Sequence, residues 1–121
     1  MKRLLFIVTL LGGFLVYGAQ VDNDVLRKAI AYYQQMEFEK SIELFDQLVE
    51  ENPDDASIQG RRGYVISEYL KAIDSKKVNS IESNTYNEYL EKGISDLKVS
   101  VKKYPNNLDN KTALAYLEGK K

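Results

Sequence analysis

Glu39-Lys-Ser-Ile-Glu-Leu-Phe-Asp-Gln-Leu-Val-Glu-Glu-Asn-Pro-Asp-Asp55 decides the fold, because the chain says it twice. The second version is Glu91-Lys-Gly-Ile-Ser-Asp-Leu-Lys-Val-Ser-Val-Lys-Lys-Tyr-Pro-Asn-Asn107. In both, Lys-small-Ile stands the same distance before proline. Phe38, Ile42, Phe45, Leu48 and Val49 recur at spacings of three and four, as do Tyr86, Leu90, Ile94, Leu97 and Val101. Each set marks one apolar stripe on an amphipathic helix. Proline disfavours a helical residue before it, so each stripe ends at its proline. A helix ending in a fixed turn, present twice, predicts a short α-solenoid of antiparallel helix pairs.

Working outward, Asp54 and Asp55 are set to cap the next helix,. Thr85-x-x-Glu88 has the form of a capping box and predicts a helix start at Thr85,. Strict alternation is absent, so no sheet is expected. The predicted helices cover about 22–35, 38–51, 55–74, 85–103 and a capping helix at 108–118.

Toward the N-terminus, Lys2 and Arg3 precede an apolar run from Leu4 to Tyr17. A basic start, a short apolar stretch and small residues after it are the marks of a cleaved secretory signal peptide. Val16 and Gly18 suit a peptidase pocket, so residues 1–18 are expected to be removed, with cleavage after Ala19 as the second choice. The alternative is an uncleaved membrane anchor; the run is shorter than the ~20 residues that span a bilayer, which favours cleavage, and no membrane span is expected after it. The expected location is the periplasm or the extracellular space of a bacterial envelope.

The whole chain has 121 residues, with 17 basic and 18 acidic side chains and a net charge of −1. Losing Lys2 and Arg3 leaves 15 against 18, a net of −3. That balance argues against nucleic acid as a partner. There is no Cys and no His. Thiolate and imidazole catalysis are therefore excluded, and zinc, copper and non-haem iron sites lose their usual ligands. No GxxxxGK[ST], GxGxxG or GxSxG motif occurs,. Glu50 and Glu51 are neighbours on a helix and point apart, while Glu39 and Glu43 share a solvent-facing side,. No catalytic residue, cofactor or metal site is expected.

The paired segments resemble the tetratricopeptide repeat family. Ala31-Tyr-Tyr-Gln-Gln-Met-Glu-Phe-Glu-Lys-Ser-Ile-Glu-Leu-Phe45 is close to that family's end of helix A, turn and start of helix B,. In the first repeat, about 22–55, Ala29, Tyr32, Ser41, Phe45 and Pro53 fall on the pattern. In the second, about 56–107, Gly63, Ile66, Gly93, Leu97 and Pro105 do. Residues 108–118 open a third unit, with Leu114-Ala115 as its Leu-small pair. The mature chain, 19–121, thus resembles two and a half repeats.

The departures are specific. Lys28 and Arg62 stand where the family has leucine, and Val25 and Gln59 replace its tryptophan. Met36 occupies the glycine of the A-to-B turn, so that turn is expected to be strained or shifted. The two prolines lie 52 positions apart, against a repeat of about 34. The excess falls near residues 74–84, where a polar loop after an extended helix is expected.

The resemblance implies an all-α protein-interaction module, not an enzyme, whose A helices line a groove for a protein or peptide segment. On matching positions that groove carries Leu26, Ile30, Tyr33 and Gln34, then Tyr64, Ser67 and Glu68, then Thr112 and Tyr116. Two readings of Tyr33, Tyr64 and Tyr116 stand side by side: a spaced recognition row, or packing between helices. The family's carboxylate clamp is absent, since Leu26 and Ile30 hold its slots. Arg61 and Arg62 are candidates for an acidic partner or for ion pairs with neighbouring acids. Val78 and Ile81 are the apolar contact candidates of the insertion. Two and a half repeats fall below the usual stability threshold of about three. The alternative is a small structural or self-associating subunit of a cell-envelope complex, with a homo-oligomer as one form.

Overall fold

The computed structural model describes residues 21–121; the expected leader, residues 1–18, lies outside the described residues. Five helices follow one another: α1 Asn23–Gln34, α2 Phe38–Glu51, α3 Ala56–Asp74, α4 Ser83–Lys103 and α5 Leu108–Glu118. No strand occurs among the described residues. α1 packs on α2, α2 on α3, α3 on α4, and α5 on both α3 and α4. The architecture is a short α-solenoid of helix pairs.

The first helix of each unit is capped by a short polar side chain. Asp22 Oδ1 accepts from the amides of Asp24 and Val25. Asp55 Oδ1 accepts from Ser57 and Ile58, and Asn107 Oδ1 from Asn110. Each satisfies amides that lack an intrahelical partner. The second helices, α2 and α4, have no side-chain cap. The Thr85–Glu88 capping box does not form: α4 begins at Ser83, with Glu82 before it. Thr85 therefore already lies inside the first turn.

The core is filled by the residues the repeat singles out. Ile42, Phe45, Leu48, Ile66, Leu70, Leu97 and Leu117 are all but inaccessible. The small slots face each other across both pairs. Ser41 Oγ donates to the Ala29 carbonyl at 2.7 Å between α2 and α1. Between α3 and α4, a Cβ placed on Gly63 would lie 3.1 Å from the Gly93 carbonyl and 2.7 Å from Leu97 Cγ. Small side chains here allow the close approach that interdigitated helices need.

The excess residues of the second pair build helix rather than mostly loop. Aligning Ala29 with Gly63, α3 runs six residues beyond the point where α1 stops. Aligning Ser41 with Gly93, α4 begins seven residues ahead of α2. The turn 75–82 is only five residues longer than 35–37. So the α3–α4 hairpin projects past α1–α2, and the expected loop at 74–84 shrinks to residues 75–82. Val78 and Ile81 of this turn are half-buried against the core.

Both first helices stop in the same way. Glu37 N donates to Tyr32 O and Met36 N to Tyr33 O. Lys77 N donates to Ala72 O and Lys76 N to Ile73 O. These are Schellman stops, which place one residue in the left-handed region. Met36 takes φ 61° and Lys76 φ 62°. The expected strain at Met36 is present, and Lys76 repeats it.

Candidate functional site: a groove across the first helices

Three residues of α3, Ser57, Arg61 and Tyr64, recur at helical spacing along one face,. They form the floor of a groove of about 680 Å³. Ile30 and Tyr33 of α1 line one side. Tyr104, Asn107 and Asp109, around the α4–α5 turn, line the other. The Tyr33 and Tyr64 rings meet edge to face, with centroids 6.2 Å apart. Tyr33 also meets Phe38 edge to face at 6.1 Å. Phe38 in turn stacks on Tyr69 at 5.3 Å, and Tyr69 meets Tyr89 at 5.5 Å. An aromatic ladder thus runs from the groove into the projecting hairpin. Tyr33 belongs to both, so packing and exposure are not exclusive alternatives for this ring.

Burial, the neighbouring Tyr64 hydroxyl and the Glu68 carboxylate push the Tyr33 phenol up to about 12. It stays protonated near neutral pH. Arg61 is exposed and makes no ion pair among the described residues. Its neighbour Arg62 turns the other way and is paired with Asp96 and Asp46. The groove therefore offers aromatic faces, hydroxyl and amide groups, the free Arg61 guanidinium on its floor and the Asp109 carboxylate on the opposite side.

The predicted groove residues are divided. Ile30, Tyr33 and Tyr64 come together here. Gln34 and Glu68 line an adjoining depression beside Tyr33, with Lys71 and Ser75. Leu26 is half-buried against the core. Thr112 is exposed on α5, outside the groove lining. Ser67 is fully buried and donates to the Tyr64 carbonyl at 2.7 Å. Ser57, Arg61, Tyr104, Asn107 and Asp109 line the groove without having been assigned to it. The three-and-four spacing back from Tyr64 contained the signal for Ser57 and Arg61.

Tyr116 serves a different place. Its hydroxyl donates to Asp74, which also accepts from Tyr86 at 2.9 Å and from Lys120 Nζ at 2.8 Å. The ammonium groups of Lys71 and Lys120 lie 5.1 Å and 4.9 Å from the centre of its ring. Partial burial alone would raise the Asp74 carboxyl; the bonds from Lys120, Tyr116 and Tyr86 outweigh it and hold the group below its ordinary value. Burial and Asp74 push the Tyr86 phenol up to about 12. This cluster ties the ends of α3 and α5 to the start of α4.

Among the described residues, no three acidic side chains gather as a metal-binding group. No described helix is long and apolar enough to cross a membrane. No protein-family model, curated protein or solved structure matches the chain.

Proposed function

We propose that this chain is an exported protein-interaction module that holds a segment of a partner protein in the groove across α1, α3 and α5, with no chemical step. The observation that carries this reading is the unpaired Arg61 in the same groove as the half-buried rings of Tyr33 and Tyr64. A guanidinium left free beside rigid aromatic surface favours a carboxylate flanked by apolar side chains. The groove volume is that of a site for a few side chains, within the usual range of about 300–1,000 Å³. The tetratricopeptide-like spacing supports the same groove, and the Lys2-Arg3 start with its apolar run supports export.

Capture from the native envelope with the full chain as bait tests the proposal. Tyr64→Ala and Arg61→Glu are expected to lose the partner while keeping the helical far-UV signal. Retention of the same partner by both variants would remove the groove from consideration.

A further inference from the structure

Charge is not spread evenly along the solenoid. Residues 21–55 carry ten acidic and three basic side chains, net −7, while residues 56–121 carry eight and twelve, net +4. The near-neutral total hides a molecule with two opposite ends.

At the basic end, apolar surface lies open. Leu108, the first residue of α5, is 71% exposed and Tyr104 is 42% exposed. Lys102 and Lys103 close α4 beside them, and Lys111 follows one turn after Leu108. All three lysines are exposed and make no ion pair among the described residues. Lys103 Nζ lies 5.9 Å from the Tyr104 ring centre, so a cation borders the apolar ledge. Exposed Leu108 and Tyr104 beside these unpaired lysines, with Asp109 next to Leu108 in the chain, offer an apolar contact with a largely basic border.

At the acidic end, Glu39, Glu43 and Glu50 recur along one exposed face of α2 and make no ion pair among the described residues, while Asp46 in the same row is paired with Arg62 and Lys92. Like charges one turn apart, as at Glu39 and Glu43, weaken a helix slightly, and a cationic partner over the three free carboxylates would relieve this. α2 belongs to the first pair and α5 to the last. The ledge and the acidic face thus lie on different helix pairs of the molecule.

We propose that the Leu108 ledge of one copy, with Lys103 and Lys111, docks on the Glu39–Glu43–Glu50 face of a second copy. The two patches are different surfaces, so each bound copy still offers one free patch of either kind unless the arrangement closes. Opposite charge brings the copies together and sets their register, and Leu108 supplies the apolar contact.

Sedimentation velocity of the full chain, as recovered from producing cells, tests this. The average mass is expected to rise with concentration and to fall toward the monomer as salt increases from about 0.05 M to about 0.5 M. Glu43→Lys/Glu50→Lys places two basic patches on one molecule, and Lys103→Glu/Lys111→Glu two acidic ones. Each variant alone should associate at least about tenfold more weakly than the natural chain. An equimolar mixture of the two should associate again, which a pair of misfolded variants cannot do. A natural chain that stays monomeric at low salt overturns the proposal, as does association that both variants retain alone. Tyr104 belongs both to the ledge and to the Arg61 groove, so partner capture is compared in Glu43→Lys/Glu50→Lys, which changes only α2 residues outside the groove lining.

Discussion

Arg62 and Asp96 are locked together by two parallel bonds between α3 and α4. Nε reaches Oδ2 at 2.7 Å and Nη2 reaches Oδ1 at 2.8 Å. The remaining arm, Nη1, binds Asp46 of α2 at 3.0 Å, and Lys92 reaches the same carboxylate at 3.3 Å. Asp96 is 3% exposed and Arg62 13%. This pair explains an arginine where the repeat pattern has leucine: the fork fills the space and Asp96 answers its charge. The first pair lacks the answer. Lys28, in the corresponding slot, is exposed, and Leu44 stands in the position that matches Asp96.

Removing one partner of this pair should be far worse than removing both. Asp96→Leu leaves a buried guanidinium with only the half-exposed Asp46, a loss of about 3–5 kcal/mol for breaking a buried pair. The double variant Arg62→Leu/Asp96→Leu removes both charges and should recover most of that loss. Urea unfolding of the natural chain, Arg62→Leu, Asp96→Leu and the double variant measures the coupling. Additive losses would show that the two side chains act independently.

The small residues between α3 and α4 should not tolerate a methyl group. At Gly63 the added carbon would meet Leu97 Cγ at 2.7 Å, Asp96 Cβ at 2.9 Å and the Gly93 backbone at 3.1 Å. Alanine gains about 1 kcal/mol in helix propensity, but the overpacking costs about 1–3 kcal/mol, and the backbone contact cannot swing away. Gly63→Ala should therefore lower the thermal midpoint. Gly119→Ala is the control: its nearest neighbour would be at 3.4 Å, an ordinary contact. It should change stability by less than about 0.5 kcal/mol.

Much of this fold was legible because its signals are local. The stripes from Phe38 to Val49 and from Leu90 to Val101 report helix and buried face in the same residues. Gly63, Gly93, Ala29 and Ser41 announced the close crossings by being small at the slots where the resembled repeat pattern asks for small residues. What stayed hidden depends on partners distant in sequence. Asp96 has an ordinary polar setting in its own helix, and only Arg62, 34 positions earlier, makes it a buried residue. Tyr116 shares its row with Tyr33 and Tyr64 by repeat position, yet the longer α3 carries Asp74 out to meet it. The polar stretch 75–82 read as a loop of greater length, because the α3 and α4 extensions are held by each other through Tyr69 and Tyr89.

Met36 and Lys76 hold a left-handed backbone without being glycine. For a residue with a Cβ this conformation costs about 1–2 kcal/mol. Glycine avoids that cost but loses about 0.5–1 kcal/mol more backbone entropy on folding. Met36→Gly should therefore gain about 0.5–1 kcal/mol, since the Met36 side chain is 43% exposed and leaves little packing behind. In a domain of this size that is a rise of a few degrees, about 2–8 °C, in the thermal midpoint. Lys76→Gly should do the same. A fall at either position would mean that the side chain packs more usefully than its exposure indicates.

The Asp74 cluster should make stability depend on pH at both ends of the range. Its bonds hold the Asp74 carboxyl below the ordinary 3.8. A depressed carboxyl contributes stability that is fully present above the ordinary value and is lost as pH falls through the folded one. Lys120 is held above its ordinary 10.5, chiefly by its bond to Asp74. It contributes stability fully present below that value and lost as pH rises through the folded one. Asp74→Asn removes both contributions. The natural chain should therefore melt higher than Asp74→Asn at neutral pH. The gap should narrow as the pH drops below about 4, because other carboxylates titrate alike in both proteins. Melting both from about pH 2 to about pH 8 checks the acid side. Tyr86→Phe, which removes one neutral donor from Asp74, should narrow less of the gap than Asp74→Asn opens. A gap that stays constant through the acid range would show that the ionisation of Asp74 is not linked to folding.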